Sequence, residues 1–370
     1  METGSSIETL SPIVEPVLSL DRLTVLMQTG PVMGMYGSAD ADYFNKKKSA
    51  INGLVNKMRL QYARLFEPKQ PTVETGLYLY HFRLVGGFDL QMCPKFGIKC
   101  RIDDEGYVSA FGTETEIEQF KQLGYIDEYF DSDFGIRIEF NPSKSDLADI
   151  APLLTFLSDT YYRINPDITF DRLFKVTRLD VAVDYPLPLN PALFAYMRKR
   201  KCGWVGGSEG VETTYFGSRR TAFYWRIYDK KREYLEQQHI DYQGADLWRI
   251  ELECKKPFSI GEDPHFCCQQ FRGLEYYYGG ISTGDWKMDM ILHYGKCFGM
   301  QNAFKMIPRQ SRIRYQEQFS RLNFESMKHP ASIVGWELPK QWRSLYDKFK
   351  NTCGRRHDPM LFQRNIREDM

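Results

Sequence analysis

Two tyrosines flanked by cations form the pattern in this chain that is best suited to covalent chemistry. Tyr224, Arg226 and Tyr228 alternate along one predicted strand, and Lys230 follows just beyond it. Because alternate side chains of a strand point to the same face, the sequence predicts that these four groups lie together. A tyrosine hydroxyl beside Arg and Lys can attack a phosphodiester, but its free pKa of about 10 requires help from cations or from a metal-polarised phosphate. Simple packing is the alternative, because tyrosine rings commonly pack with their hydroxyl in water.

Three predicted strands carry carboxylates and an arginine on one face and apolar side chains on the other. Their polar faces hold Arg137, Glu139, Asn141, Arg178, Asp180, Asp184, Arg249, Glu251 and Glu253. Neighbouring like charges repel, and a divalent cation would relieve that repulsion. Hard carboxylate oxygens suit Mg²⁺ or Mn²⁺. The pattern therefore predicts a metal site without selecting its ligands, and a solvated strand face would also fit.

Charge is balanced over the whole chain and uneven locally. The formal net charge of +1 argues against a general binder of polyanions. Residues 101–160 hold 4 basic and 14 acidic side chains, whereas residues 301–370 hold 14 basic and 7 acidic ones. A short basic stretch contains Arg219, Arg220, Arg226, Lys230, Lys231 and Arg232. This asymmetry fits phosphate contacts on part of the surface, and it also fits ordinary solvated faces.

The spacing of residues argues against a hydrolase elbow, a histidine-rich metal site, disulfide bonds and a membrane span. Gly206–Gly210 matches the Gly-x-Ser-x-Gly of a hydrolase elbow, but no helix pattern follows it, so a loop is predicted. The chain has no His-Glu-x-x-His and no His-x-His. Its eight cysteines include no CxxC pair, which indicates reduced thiols. No apolar stretch reaches the roughly 18–20 residues of a membrane span, and the chain starts without a signal-like pattern. We therefore expect a cytoplasmic protein without membrane contact.

The elements that must position these residues are strands and helices in alternation. Residues 1–20 are predicted to be a weakly ordered arm, and residues 42–66 an amphipathic helix. Short alternating runs between about residues 76 and 256 indicate strands. One helix is predicted from Asn190-Pro191 to about Lys199, with proline at its first position.

These elements predict an α+β fold with a central antiparallel sheet, flanking helices and a helical, basic C-terminal region. Three regions follow from this pattern. Residues 1–70 are the N-terminal arm and helix, residues 71–275 the domain that holds the chemistry, and residues 276–370 the C-terminal region.

Four motifs in a fixed order resemble the replication initiation factor family, the initiators of rolling-circle plasmids and filamentous phages. They are Ile136–Lys144, Thr177–Asp184, Tyr215–Lys231 and Trp248–Glu253. The likeness extends over about residues 76–270. It implies a relaxase-like palm of antiparallel strands with flanking helices, in a protein that works in a bacterial cytoplasm.

The resemblance also implies site-specific nicking and rejoining of one DNA strand at a phage or plasmid origin. A tyrosine becomes linked to the 5′ end of the nick, the free 3′-hydroxyl primes synthesis, and a divalent metal polarises the phosphate. Members of this family can replace the metal-binding histidines of related initiators, so the missing His-x-His is compatible with nicking.

Carried over by position, the family's nucleophile is Tyr228, with Lys230 as its cationic neighbour and Tyr224 in reserve. The implied ligands of Mg²⁺ or Mn²⁺ are Asp180, Asp184 and Glu251, with Glu253 and Glu139 as helpers. The implied DNA contacts are Arg219, Arg226, Lys231 and Arg249. The implied partners are origin DNA, a host helicase, a host polymerase and a second copy of the chain.

Two other functions are compatible with the same residues. A DNA-binding regulator could keep the initiator fold without ever forming a covalent adduct. A structural or interaction protein could carry the carboxylate faces as solvent surface, and it would then bind DNA weakly and without steep salt dependence.

Overall fold

The protein is described by a computed structural model that covers residues 8–10, 15–28, 53–66, 80–94, 99–102, 108–111, 134–164, 168–196, 202–207, 210–277, 283–322 and 328–353. The strands of these residues are β1 (Glu8–Leu10), β2 (Val17–Gln28), β3 (Tyr80–Leu84), β4 (Phe88–Pro94), β5 (Lys99–Ile102), β6 (Val108–Phe111), β7 (Phe134–Phe140), β8 (Phe174–Tyr185), β9 (Phe194–Tyr196), β10 (Cys202–Gly207), β11 (Gly210–Gly217), β12 (Phe223–Asp229), β13 (Ile240–Tyr242), β14 (Trp248–Cys254), β15 (Phe258–Ser259) and β16 (Leu274–Tyr276). The helices are α1 (residues 53–62), α2 (Ala151–Ile164), α3 (Phe170–Leu173), α4 (Lys230–Glu233), α5 (His265–Phe271), α6 (Trp286–Phe298), α7 (Met300–Met306), α8 (Arg309–Arg321) and α9 (Pro330–Cys353).

Two compact units make up the chain, and each combines segments that are distant in sequence. The first comprises Met1–Leu23, Arg178–Pro257 and Asp263–Arg343. The second comprises Thr24–Thr177, Phe258–Glu262 and Ser344–Met370. The predicted division into residues 1–70, 71–275 and 276–370 stays a prediction.

The first unit is built on a sheet with the strand order β10-β11-β12-β14-β8-β2. From β10 to β8 the neighbouring strands are antiparallel. The apolar face of this sheet contributes to the hydrophobic core of the unit. Its side chains without exposed surface are Leu179, Val181, Val183, Trp225, Ile227, Ile250 and Leu252. Trp225 packs edge-on against Phe271 of α5, with ring centroids 4.7 Å apart. The predicted alternation of apolar and polar faces along β8, β12 and β14 is thus confirmed.

The second unit has the strand order β8-β2-β7-β4-β3, to which β8 and β2 contribute the residues that the first unit does not use. Helices cover this sheet. Phe349 of α9 lies against Phe140 of β7, with ring centroids 5.9 Å apart. Thr155 of α2 donates a hydrogen bond to the carbonyl of Thr352 over 2.9 Å. The predicted α+β class is confirmed by the sheets and flanking helices together.

Helices dominate residues 283–322 and 328–353, as the sequence predicts. Asp285 caps the start of α6 by accepting from the backbone N–H groups of Lys287 and Met288. Gly299 ends α6 with a φ of 84°, a conformation that favours glycine. Among the described segments, none of the helices combines the length and the apolar run that a bilayer crossing requires.

Three predictions about local structure are wrong. Within the predicted arm at residues 1–20, Glu8–Leu10 forms β1, and β2 begins at Val17, where Leu18 and Leu20 are buried in the first unit; residues 1–7 and 11–14 lie outside the described part of the chain. The helix predicted from Asn190-Pro191 is a single 3-10 turn at Pro191–Leu193. It gives way to β9, which pairs with β16, and all six residues from 191 to 196 are buried. An amphipathic helix has one buried and one exposed side, whereas these residues are buried on every side.

The glycine-rich loop is also different from its prediction. Cys202–Gly207 forms β10, which pairs antiparallel with β11 and has a register shift between Val205 and Gly206. A strand rather than a helix follows, so a hydrolase elbow is absent here. For the predicted helix at residues 42–66, residues 53–62 are helical, and residues 42–52 lie outside the described part of the chain.

Candidate active site

The polar face of the first unit's sheet brings the predicted site residues together in cross-strand rows. The register of β11, β12, β14 and β8 defines these rows as Thr213–Tyr228–Arg249–Asp184, Tyr215–Arg226–Glu251–Ala182 and Gly217–Tyr224–Glu253–Asp180. Directly opposite side chains in such a sheet have Cβ atoms about 4.5–5.5 Å apart. The rows therefore place the candidate nucleophiles next to arginines and carboxylates. Glu139, named as a helper, belongs to the second unit, where it accepts from Thr24 over 3.0 Å.

Tyr228 has its hydroxyl group on a carboxylate. The Oη atom donates a hydrogen bond to Oε2 of Glu251 over 3.1 Å. Burial, followed by the negative charge of Glu251, raises the pKa of Tyr228 well above its ordinary value of 10.0. The side chain is therefore a neutral phenol at neutral pH, and a proton acceptor is already in contact with it.

Two cations flank the ring of Tyr228. Arg226 Cζ lies 5.7 Å and Lys230 Nζ 5.9 Å from the ring centroid. Lys230 is only 5% exposed and forms an ion pair with Glu233. Burial lowers the pKa of Lys230 from its ordinary value. The structure thus places Lys230 beside the ring of Tyr228.

Arginines pair with the carboxylates of the rows. Arg178 donates to both oxygens of Asp180, over 2.8 Å and 2.7 Å, and to Glu253 over 2.7 Å. Arg226 pairs with Glu251. Arg249 donates to both oxygens of Asp184, over 2.6 Å and 2.5 Å, and also pairs with Asp21. The negative charges of this face are therefore neutralised within the protein.

Asp180 is the carboxylate whose protonation is most perturbed by its surroundings. Burial raises the pKa of Asp180 from 3.8 to about 6, although the hydrogen bonds from Arg178 act in the opposite direction. A carboxylate that is costly to ionise in a polar site is typical of functional positions.

The three predicted metal ligands do not converge in one cluster. The row of Glu251 lies between those of Asp180 and Asp184, and both oxygens of each aspartate accept from an arginine, Arg178 or Arg249. Within the described part of the chain, no group of three or more His, Cys, Asp or Glu side chains is placed to hold a metal ion. Asp180, Glu251 and Glu253 fit a hard divalent ion by their oxygen donors, but they face arginines as arranged here.

Tyr224, the reserve nucleophile, sits in a different environment from Tyr228. It is 7% exposed, lies opposite Glu253 and stacks on Tyr215 at 5.8 Å between ring centroids, with 12° between the ring planes. Arg219 Cζ lies 5.9 Å from its ring centroid. Burial raises the pKa of Tyr224.

The four predicted DNA contacts fall into two groups. Arg219 is exposed in the turn between β11 and β12, and Arg226 is partly exposed. By contrast, Lys231 donates to the carbonyls of Gly244 and Ala245 over 2.7 Å and 3.2 Å. Arg249 is buried in its ion pairs. Arg219 is thus the most accessible of the four to a phosphate, whereas Arg226 would have to release the buried carboxylate of Glu251.

A match to a known protein family falls on the segment that contains Tyr228 and Glu251. Residues 193–274 match the model of a family described as "Replication initiation factor". The resemblance to that family is confirmed over this segment. Two relatives from Staphylococcus aureus, each described as "Replication initiation protein", are 32% and 31% identical over 123 residues. The match covers 33% of this chain and 36% of each relative, so the chain spans about a third of the length of these curated relatives.

One solved structure also aligns with the chain. The rolling circle replication initiator protein from Geobacillus stearothermophilus is 14% identical, with 85% of this chain and 100% of that chain covered and a TM-score of 0.34. A score this low adds no argument, and the fold class rests on the strands and helices described above.

The segment that matches the family model holds only part of the site. Tyr228, Lys230 and Glu251 lie inside residues 193–274, whereas Asp180 and Asp184 of β8 precede them. The candidate nucleophile and its proton acceptor are therefore in the matched segment. The carboxylates of β8 join them through the strand pairing of β14 with β8.

Sequence reasoning missed Asp21 and a cleft beside Tyr228. Asp21 pairs with Arg249 from β2, in a stretch predicted to be a weakly ordered arm. The alternation of Leu18, Leu20 and polar neighbours was the available signal for that strand. The cleft has a volume of about 420 Å³ and is lined by Tyr215, Arg226, Tyr228, Arg232 and Trp248 among others. It gives a ligand access to the tyrosine.

Proposed function

We propose that this protein initiates rolling-circle replication by nicking one strand of origin DNA with Tyr228. One observation carries the proposal: in the replication initiation factor segment, the Tyr228 hydroxyl donates to Glu251 while Arg226 and Lys230 flank its ring. A buried phenol needs a base to become a nucleophile, and a phosphodiester needs cations around it. This face of the sheet offers both.

In the proposed step, the Tyr228 oxygen attacks the scissile phosphorus and forms a new O–P bond to the 5′ side of the DNA. The bond between phosphorus and the 3′ oxygen breaks. The phenol proton passes to Glu251, and solvent water relays one proton from Glu251 to the leaving 3′ oxygen, which restores the carboxylate. The products are a 5′-phosphotyrosine and a free 3′-hydroxyl. Attack of that hydroxyl on the same phosphorus reverses the step and rejoins the strand without another reactant.

Mg²⁺ or Mn²⁺ is the proposed cofactor, and Asp180 and Glu251 are the ligands in the best position for it. Glu253, directly opposite Asp180, would add a third oxygen donor. When bound, the ion would polarise the scissile phosphate. Each predicted ligand would first have to release an arginine, Arg178 for Asp180, Arg226 for Glu251 and Arg249 for Asp184.

The proposed partners follow from the products of the nick. Origin DNA of a phage or plasmid is the substrate, with Arg226 and Arg219 as phosphate contacts because Arg suits bidentate pairing. A host polymerase would extend the 3′-hydroxyl, and a host helicase would separate the strands. A second copy of the chain is a further proposed partner.

A DNA-binding regulator on the same fold is the second candidate function. The observation that favours it is the pairing of Asp180, Asp184 and Glu251 with arginines, which leaves these carboxylates neutralised without a metal. Such a protein would bind the origin and never become linked to it. The nicking reaction separates the two candidates.

The test is nicking of supercoiled DNA that carries the origin of the encoding element, with Mg²⁺ or Mn²⁺ and with a chelator as control. We expect open circles and protein that stays on the DNA after denaturation. Tyr228→Phe should abolish both, because it removes only the attacking oxygen. Tyr224→Phe is the matched control on the same strand face and should keep both.

Other results would change the assignment. Adduct formation by Tyr228→Phe that is lost in Tyr224→Phe would move the nucleophile to Tyr224. Loss in neither variant would direct the search to Tyr234, whose ring centroid lies 4.6 Å from Lys230 Nζ. Binding of origin DNA without any nick, in wild type and with either metal, would reject the enzyme in favour of the regulator.

A further inference from the structure

Helix α6 presents four large apolar side chains to solvent along one line. Trp286, Met290, Tyr294 and Phe298 are 66%, 63%, 37% and 47% exposed. They recur at every fourth position, so they lie above one another on the same side of the helix. We call these four residues the α6 stripe. The opposite side of the helix is packed into the unit through Met288, Leu292 and Gly295.

An exposed stripe of this composition indicates a binding surface. Surface helices normally turn polar side chains to water, and contiguous apolar patches on soluble proteins mark interaction sites. Three of the four side chains are aromatic, and the rings of Tyr294 and Phe298 lie 4.6 Å apart between centroids. The stripe is therefore a surface of flat rings rather than of branched aliphatic groups.

The surroundings of the stripe are basic. From residue 285 to residue 321 the chain carries seven basic and three acidic side chains. The basic side chains with high exposure are Lys287, Lys296, Lys305, Arg309, Arg314 and Arg321. Lys287 Nζ lies 5.5 Å from the ring centroid of Trp286. Helix α8 reaches the start of the stripe, since Gln318 donates to the capping residue Asp285 over 3.3 Å.

We propose that the α6 stripe binds single-stranded DNA, with unpaired bases on its rings and phosphates on the cations around it. Aromatic rings interleaved with cations are the usual surface for a single strand, because every base has a flat face and every phosphate a charge. A duplex would not suffice, since its bases are covered by their neighbours. The choice of DNA over RNA rests on the proposed function, in which a nick releases a single strand.

Length and charge support this occupant. The stripe extends for about 18 Å at 1.5 Å per residue, which leaves room for about five nucleotides at a stacked spacing of 3.4 Å. The positive charge near the stripe is complementary to a phosphate backbone. A protein partner would have to combine an apolar face with acidic side chains, and the aromatic content favours bases over such a face.

The test measures binding of a labelled oligothymidine of about 15 nucleotides, within the range of known single-strand sites, by fluorescence anisotropy. An oligonucleotide of equal length without bases serves as the backbone-only probe. Wild type should prefer the oligothymidine. Trp286→Ala and Phe298→Ala should each weaken that binding at least about fivefold and leave binding of the backbone-only probe unchanged, since stacking is lost and charge is not.

Trp336 of α9 is the matched control. It is 68% exposed and has Lys340 Nζ 4.2 Å from its ring centroid, but it does not belong to the stripe. Trp336→Ala should therefore bind both probes as wild type does. Equal urea midpoints for all variants show that the folded state is intact.

Two outcomes would overturn the proposal. One is a Trp286→Ala/Phe298→Ala variant that binds oligothymidine as tightly as wild type does. The other is a variant whose only change is dissociation of a dimer in sedimentation, which would make the stripe an interface between copies of the chain. The oligonucleotide assay needs no nick, so a protein that fails to nick DNA still tests the stripe. Failure at the stripe likewise leaves the role of Tyr228 untouched.

Discussion

Replacing Asp180 by Asn should stabilise the protein at neutral pH and not in acid. Asp180 is 3% exposed, and burial raises its pKa from 3.8 to about 6 even though Arg178 pairs with it. Between these two pH values the unfolded chain has an ionised carboxylate and the folded protein a protonated one. The folded state therefore binds more protons, and its stability falls as the pH rises through this window.

The size of the effect follows from the shift. A change from 3.8 to about 6 at 1.36 kcal/mol per unit makes the ionised Asp180 cost about 3 kcal/mol above pH 6. Asn is neutral, as the protonated carboxyl of Asp180 is in acid. In acid, wild type and Asp180→Asn therefore both lack the charge-assisted hydrogen bonds from Arg178, and the two proteins should be about equally stable. At pH 4 the carboxyl of the unfolded chain is already more than half ionised, so the free energy of unfolding of Asp180→Asn minus that of wild type should rise by about 2.4 kcal/mol from pH 4 to pH 7.5.

Urea unfolding at a series of pH values measures this difference directly. Other carboxylates titrate in both proteins, so they cancel when the two curves are subtracted. Glu337→Gln is the control, since Glu337 is an exposed partner of Lys340, and its difference from wild type should not vary with pH. A flat difference for Asp180→Asn, or one that grows towards acid, would refute the argument that burial dominates at Asp180.

Two further substitutions test the ion pairs and the proton acceptor. Arg249→Met should destabilise the protein by about 3–5 kcal/mol in urea unfolding because it leaves the buried carboxylate of Asp184 without its partner. Arg249→Met/Asp184→Leu should regain most of that loss, and a double variant as unstable as the single one would contradict this reasoning. Glu251→Gln should slow the proposed nicking about 10²–10⁴-fold, since an amide cannot take the Tyr228 proton, while binding of origin DNA is retained. Nicking by Glu251→Gln at the wild-type rate would remove Glu251 as the base.

The sequence was sufficient to predict which side chains share a face. Period-two alternation in β8, β12 and β14 placed Tyr228, Glu251 and Asp180 on the polar side, because only one side of each strand could be buried. Alternation does not reveal which residue lies opposite which. Register is set by pairing between distant segments, so the contacts of Tyr228 with Glu251 and of Arg178 with Glu253 became visible only in the folded chain.

Long-range pairing also explains the errors. Residues 17–20 hold three apolar side chains, Val17, Leu18 and Leu20, and they join a strand because the first unit offers them a partner. Asn190 caps a turn as predicted, by accepting from Ala192 over 3.0 Å. The helix then fails because Phe194–Tyr196 pairs with β16 and is buried on all sides. In both cases, pairing with a segment that is distant in sequence decides which element forms.

The pairing of charges on the polar face connects its stability to its proposed chemistry. Buried ion pairs are weak sources of stability, and apolar residues of similar volume often serve a fold as well or better. A face that keeps Asp180, Glu251, Arg178 and Arg226 therefore carries a cost that the fold alone does not require. In the proposed reaction these groups exchange partners: arginine moves from carboxylate to phosphate, and carboxylate turns to the divalent ion. A chain with a net charge of only +1 can in this way present cations to DNA at the one place where a phosphate must react.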